Sequence, residues 1–299
     1  MTKGLFVGLA GFDLIFYKDA APAENKKMKT TEYSTCVGGP AANAAITFSL
    51  LGGEALLVSC IGDSPMGKLI KEELERYRIR VLDLAEGETS LPSISGILIN
   101  TLNGSRTIWN GQPDLGACTK DLSEWVSEAD FLLTDCNLKG PALESLKMAK
   151  ERDIPRILDA GSWKDYMVEC ISLATDVIAS EDCAPPGGED LLSLCKELSV
   201  LRAAVTRGEG PVSWQEAGVK GDVFPPVVQA VDTLGAGDIF HGAYGFFLVQ
   251  ENFGFESALK KAAEVAASSV RFRGPREGVM KIAEVQHGST EDGNGTIDG

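Results

Sequence analysis

Val231-Asp232-Thr233-Leu234-Gly235-Ala236-Gly237-Asp238-Ile239-Phe240-His241-Gly242-Ala243 is the stretch on which the reading of this chain turns. An apolar strand end passes through a tight Gly-Ala-Gly turn into small and apolar residues that continue, with helical character, to about Val249. That order leaves the backbone N–H groups of 235–238 at a helix N-terminus, where unpaired amides and the helix dipole both favour an anion. Gly235 and Gly237 allow unusual backbone angles and the close approach of a ligand. Asp238 falls in the first helical turn beside that anion. It is placed to take a proton from an attacking hydroxyl while the amides of Gly235, Ala236 and Gly237 stabilise a transferring phosphoryl group. An acid favoured there by the dipole alone would look the same in isolation.

Working outward, short apolar runs alternate with helical patterns. Leu5–Ala10, Ala55–Ile61, Phe131–Thr134, Arg156–Asp159, Asp176–Ala179 and Leu201–Thr206 read as strands, with helices near 41–51, 65–77, 141–151, 164–174 and 189–198. This rhythm predicts an α/β fold, a mostly parallel sheet with helices on both faces. Ser64-Pro65 is a cap followed by a first-turn proline, and Pro141 can open the next helix in the same way. Two segments break the rhythm. Residues 12–37 contain no helix, and 94–109 reads as a hairpin turning at Leu102-Asn103-Gly104. Both supply strands outside the main sheet, enough for a small lid. The last residues, 288–299, are polar and Gly-rich and are expected to be disordered.

The chain has 299 residues, 44% apolar and 24% charged, with a formal net charge of −15. A core is readily built at this size. So acidic a surface repels nucleic acid and anionic membranes, and no stretch is long and apolar enough to span a bilayer. With no signal-peptide pattern, a cytoplasmic protein is expected. Cysteines 36, 60, 118, 136, 170, 183 and 195 form no Cys-x-x-Cys pair and are expected as reduced, mostly buried thiols.

The motif around Asp238 resembles the D-T-x-G-A-G-D signature of the ribokinase-like, or PfkB, carbohydrate kinases. Val37-Gly38-Gly39-Pro40-Ala41-Ala42-Asn43 resembles that family's G-G-x-x-x-N signature. Gly8–Asp13 looks like its first strand ending in a sugar-contacting Asp, and Ile61-Gly62-Asp63-Ser64-Pro65-Met66-Gly67 resembles its V-G-x-D-x-x-G. Thr206-Arg207-Gly208-Glu209-Gly210 resembles a slightly shortened nucleotide-side turn. These matches run in order from about residue 5 to 275.

The resemblance implies a three-layer α/β/α domain over 1–287, with a β-lid drawn from about 12–37 and 94–110. It further implies an ATP-dependent kinase acting on a small sugar-like substrate, with Asp238 as base. Asp13, Gly39 and Asn43 would hold sugar hydroxyls. Arg106 on the lid would reach phosphate or substrate, or remain a solvated strand residue. Thr206, Gly208 and Gly210 would line the nucleotide, with Mg2+ and a monovalent cation such as K+ as cofactors. The family's N-x-x-E metal segment is replaced by Ser180-Glu181-Asp182-Cys183, so Glu181 and Asp182 are the substitutes available. Pro40 and Leu234 depart from the ribokinases proper and speak against ribose. The altered metal segment also raises a second reading, a catalytically weak nucleotide- or sugar-binding regulator. The lid's open strand edges allow a homodimer.

Two near matches fail. Gly62–Leu69 lacks the Ser or Thr that a phosphate-binding P-loop needs on its metal, and Pro65 starts a helix inside the supposed loop. Phe240 stands where a dinucleotide fingerprint requires its third glycine. His241 reads as a packing or lid-facing residue, and no His/Cys/Asp cluster has metal-ligand spacing.

Overall fold

In the computed structural model, residues 1–20, 24–112, 120–250 and 253–291 are described. The strands are β1 (Lys3–Val7), β2 (Gly11–Lys18), β3 (Tyr33–Gly38), β4 (Glu54–Ser59), β5 (Arg80–Asp83), β6 (Ser93–Asn100) and β7 (Arg106–Gly111). They continue with β8 (Phe131–Thr134), β9 (Arg156–Ala160), β10 (Asp176–Ser180), β11 (Arg202–Thr206), β12 (Val212–Glu216) and β13 (Val219–Val223). The helices are α1 (Pro40–Leu50), α2 (Pro65–Arg76), α3 (Ser123–Glu128), α4 (Lys139–Glu151) and α5 (Met167–Leu173). After these come α6 (Leu191–Glu197), α7 (Ala236–Leu248), α8 (Phe255–Ser269) and α9 (Glu277–Glu291).

Nine strands form one sheet in the order β13-β12-β11-β10-β9-β8-β1-β4-β5. It is parallel from β5 to β11 and ends in an antiparallel β11-β12-β13 meander. Its inner strands are apolar on both sides because both sides are covered. Phe6 and Leu57 point into the core beneath α1, α7 and α8, whereas Leu5, Val7 and Leu56 point into the core beneath α3–α6. These are the three expected layers.

Helix α1 is fastened to the sheet by rings: Phe48 lies 5.5 Å from Phe6 and 5.3 Å from Phe131, centroid to centroid. Fully burying a phenylalanine contributes roughly 1.5–3 kcal/mol, so this cluster alone holds α1 firmly. Helix α7 packs beside α1 where Gly242 leaves no room for more than hydrogen, since a Cβ there would stand 2.3 Å from the Ala44 carbonyl oxygen.

The second sheet is the lid, in the order β3-β2-β6-β7, with β2 and β6 parallel and the outer pairs antiparallel. Its inner face carries Asp13, Ile15, Tyr17, Ile97 and Ile99, and a small apolar cluster of these isoleucines with Tyr17 and Leu234 seats the lid on the 231–238 loop.

Three boundaries differ from the sequence reading. The first strand ends at Val7, so Asp13 belongs to the lid strand β2 and not to the end of β1. Helix α4 opens at Lys139, which leaves Pro141 two residues inside, still within the first turn where a missing N–H costs nothing. Helix α9 continues through 288–291, so that part of the expected disordered tail is helical; 292–299 lie outside the described residues, as does Cys118. The rejected P-loop is indeed a capped helix start, with Ser64 Oγ accepting from Gly67 N at 3.1 Å.

Candidate active site

The parallel strands all point their carboxyl ends at one rim, and α1 and α7 both begin there. Such a rim is where open α/β sheets bind ligands. Each helix starts from a glycine in the left-handed region: Gly39 (φ 94°) before α1 and Gly235 (φ 72°) before α7. The preceding Gly38 is required for space instead, because a Cβ there would fall 2.2 Å from the Asp13 carboxylate.

This construction brings Asn43 and Asp238, 195 residues apart, into contact. Asn43 Nδ2 donates to Asp238 Oδ2 at 2.6 Å. The Asp238 carboxyl is pushed up to about 7, first by burial and then by the neighbouring Asp159 carboxylate; the Asn43 hydrogen bond and His241 oppose the rise.

Beside it, the amides of Gly235, Gly237 and Asp238 donate to no acceptor among the described residues. Gly237 is exposed and a Cβ on it would meet nothing within 4 Å, so this turn opens outward. Ala236 departs from expectation: its N–H bonds to Thr233 O at 3.3 Å, which leaves three of the four amides free.

On the lid side, Asp13 is 5% exposed and pushed up to about 6, mainly by burial, with Ser95 and Arg276 acting in the opposite sense. Arg106 reaches from the start of β7 to the same loop, donating to Thr233 Oγ1 at 2.9 Å. Asn43 thus touches Asp238 and Arg106 its loop, while Gly39 opens the helix that carries Asn43 and Asp13 lies against the adjoining Gly38.

On the other side, Thr206 ends β11 and Gly208 turns away from it with open space at its Cβ position, whereas Gly210 closes the turn by donating to Arg207 O at 2.8 Å. Arg207 itself is occupied by Ser213 Oγ at 2.8 Å, and the Lys139 ammonium sits over the Tyr166 ring at 5.2 Å. Arg106, Lys139 and Arg207 therefore serve three separate places.

Glu181 and Asp182 follow β10 as exposed residues, with Glu181 N donating to Thr206 O at 3.0 Å. Among the described residues no group of three or more His, Cys, Asp or Glu side chains could hold a metal ion. This donor set fits a magnesium ion held chiefly by phosphate oxygens and water, which needs only one or two protein carboxylates. Cys183, in the position of the family's Glu, is buried among apolar side chains and is no ligand.

Sequence reasoning missed three residues here. Asp135, just past β8, accepts from Leu9 N at 2.9 Å and Ala41 N at 3.1 Å, holding the β1 exit to the first turn of α1. Asp159 lies at the end of β9, 3.4 Å from His241 Nδ1. Both were visible as single acids at the end of an apolar run, the position that faces a ligand in a parallel sheet. Arg276, whose guanidinium donates to Asn43 Oδ1 at 2.7 Å, had no such signal. His241 packs inside, Nδ1 2.7 Å from Gly237 O and Nε2 3.1 Å from Ile178 O, and does not face the lid.

Comparison with known proteins follows the same outline. The pfkB family carbohydrate kinase profile matches residues 1–282. The chain is 27% identical over 286 residues to a ribokinase of Bacillus subtilis (strain 168), covering 94% of this chain and 97% of that one. It is 25% identical over 301 residues to a ketohexokinase of Mus musculus, covering 90% and 96%. Among solved structures, ribokinase from Giardia lamblia superposes with a TM-score of 0.81 at 18% identity, covering 97% of this chain and all of that one. Ribokinase from Thermotoga maritima does so at 0.78 and 22%, covering 95% and 98%. These last two likenesses carry the fold. A family match over nearly the whole length, on a ribokinase-type α/β/α sheet with its own β-lid, decides the matter: the chain belongs to the pfkB family of carbohydrate kinases and is a sugar kinase.

Proposed function

We propose that this kinase transfers the γ-phosphoryl group of ATP to a hydroxyl of a small sugar or sugar-like acceptor, with Asp238 as the base. The observation that carries the reading is a carboxylate held at 2.6 Å by Asn43 and flanked by free amides at a helix start. Asp13, Gly39 and Asn43 bind the acceptor's hydroxyls, and Arg106 steadies the lid over them. Asp238 removes the proton from the attacking oxygen as it bonds to phosphorus and the bond to the ADP leaving oxygen breaks. Free amides of Gly235 and Gly237 receive the charge spread over the transferring group. Thr206, Gly208 and Gly210 line the nucleotide, Gly208 by leaving its backbone uncovered. Bound Mg2+ supplies charge neutralisation, and Glu181 and Asp182 would hold it. A monovalent cation such as K+ belongs to the same proposal.

The opposite face of the lid carries Leu14, Phe16, Tyr33, Leu98 and Trp109, of which Tyr33 and Trp109 are 69% and 58% exposed. A homodimer through this face is part of the proposal, and sedimentation of Trp109→Lys against the parent chain tests it.

The central test is ADP release over a panel of sugars, sugar acids, phosphosugars and nucleosides, with and without Mg2+ and K+, beside Asp238→Asn. Turnover on one acceptor, reduced about 10²-fold or more in the variant, is expected for a general base. A folded, ATP-binding protein with no turnover on any acceptor would return the chain to the regulator reading.

A further inference from the structure

The loop between α8 and α9 ends in Gly274-Pro275-Arg276, which belongs to none of the motifs above. Arg276 is 9% exposed and built into the wall between lid and core. Its Nη1 donates to Asn43 Oδ1 at 2.7 Å and its Nη2 to Val37 O at 2.6 Å. Nε lies 3.7 Å from Glu73 Oε1, while Glu73 Oε2 accepts from Val37 N at 2.9 Å. The guanidinium also stands over the Tyr77 ring at 5.8 Å. Its orientation is thus fixed by β3, α1 and α2 together.

An amide can be turned end for end at little steric cost, so what surrounds it decides which end faces where. A guanidinium has only donors. The Asn43 atom against it has to be the carbonyl oxygen, and the NH2 group then faces Asp238. Turned round, Asn43 would set a carbonyl oxygen against the Asp238 carboxylate and an NH2 against the guanidinium, both repulsive.

We infer that Arg276 is a positioning residue for the base: it locks the Asn43 amide so that its NH2 occupies Asp238 Oδ2, leaving Oδ1 to take the acceptor's proton. The inference rests on the reading of Asp238 as base. It also sets the polarity of the acceptor's neighbouring atom, since the second N–H of Asn43 requires a lone pair opposite it. The titratable groups facing Asp238 are Asp159 from β9, Asp135 beyond β8 and His241 one turn along α7. Those near Arg276 are Asp13 on β2, Cys36 on β3, Glu73 on α2 and Tyr77 just past α2. Asp13 is held down directly by the guanidinium as well, so Arg276→Ala is also read in an Asp13→Asn background, where only Asp238 of this pair titrates.

The test is Arg276→Ala, assayed by ADP release against pH on the acceptor identified above, with and without added guanidinium and beside Asp238→Asn. With the amide unlocked, Asp238 loses a hydrogen bond that favours its ionised form. The acid limb of kcat/KM then moves to higher pH, and kcat at neutral pH falls about tenfold, more than KM changes. Guanidinium restores both in part, because it supplies the missing donor. A folded R276A with wild-type kcat and an unmoved acid limb overturns the inference, as does a loss of activity with no change in pH profile and no rescue.

Should R276A not fold, Arg276→Lys decides. One ammonium serves Asn43 and Val37 less well than the fork, so the limb moves in the same direction by less; an unmoved limb with unchanged kcat is the contrary result. If Asp238→Asn turns over like the parent, the base assignment fails first. If that variant is inactive and R276A behaves as wild type, only the role of Arg276 fails.

Discussion

Gly242→Ala tests whether the spacing of two helices sets the catalytic geometry. Two effects oppose each other. Alanine is favoured over glycine in a helix interior by about 1 kcal/mol. Its Cβ, however, would stand 2.3 Å from Ala44 O and 2.9 Å from Ala44 C and Cα, all backbone of α1. Reaching ordinary contact requires α7 to move outward by roughly 1 Å, and overpacking of this kind costs about 1–3 kcal/mol. The net expectation is a loss of ~1 kcal/mol and a melting temperature lower by a few degrees.

Function should suffer more than stability. Asn43 is the neighbour of Ala44, and Asp238 lies one turn before Gly242, so the 2.6 Å bond between them stretches by a similar amount. At roughly 3.6 Å it is no longer a hydrogen bond, and misplacement on this scale reduces turnover by up to about 10²-fold. Thermal melts and ADP release read the two effects separately. Gly140→Ala, on the exposed first turn of α4 with nothing within 4 Å of its Cβ, serves as the control and should be neutral or stabilising. A G242A protein as stable and as active as the parent would refute the argument that this crossing positions the base.

Other outcomes follow from single groups. Since Asp238 is pushed up to about 7 and must be ionised to accept a proton, kcat/KM should fall ~tenfold per pH unit on the acid side of that value. Asp13 binds its proton more tightly folded, at about 6, than unfolded, at 3.8. Its favourable contribution to stability is therefore complete below 3.8 and lost as pH rises through about 6. Asp13→Asn, neutral throughout, should melt higher than the parent at pH 8, converge with it in acid, and bind the sugar less tightly in the KM. Arg106→Ala removes an exposed contact to Thr233; stability should change by no more than about 0.5 kcal/mol while KM rises severalfold, measured by melting and steady-state kinetics.

The sheet and its helices were legible because their signals are local. Apolar runs at regular intervals and the Ser64-Pro65 cap each specify an element without reference to the rest of the chain, and the Asn103-Gly104 turn did the same for the lid hairpin. β5, α3, the β12–β13 hairpin, α8 and α9 were passed over, β12–β13 because an edge hairpin alternates polar and apolar residues too briefly to stand out. The Gly-Ala-Gly-Asp turn was legible for the same reason as the caps: helix start, glycines and acid are contiguous. What the sequence hid was convergence. That Asn43 touches Asp238, that Asp135 ties β1 to α1 and that Arg276 reaches back to Asn43 all depend on contacts across 94 to 233 residues. No spacing along the chain records them. The free amide count was hidden by something smaller, a backbone bond from Ala236 to Thr233 that depends on how tightly the turn closes.

The lid's assembly has a consequence for the order in which a nascent chain becomes competent. Its central pair joins β2 to β6, some eighty residues later, so the β2–β3 hairpin leaves the ribosome long before β6 exists. Asn43 waits longer still: its amide meets Asp238 only after 195 further residues and Arg276 after 233. Translation thus delivers Asp13 and Asn43 first and the two residues that Asn43 bonds, Asp238 and Arg276, last. A chain released before residue 276 can have most of its central sheet but lacks the arginine that fixes Asn43, so a prematurely terminated product carries the fold's outline without a competent centre.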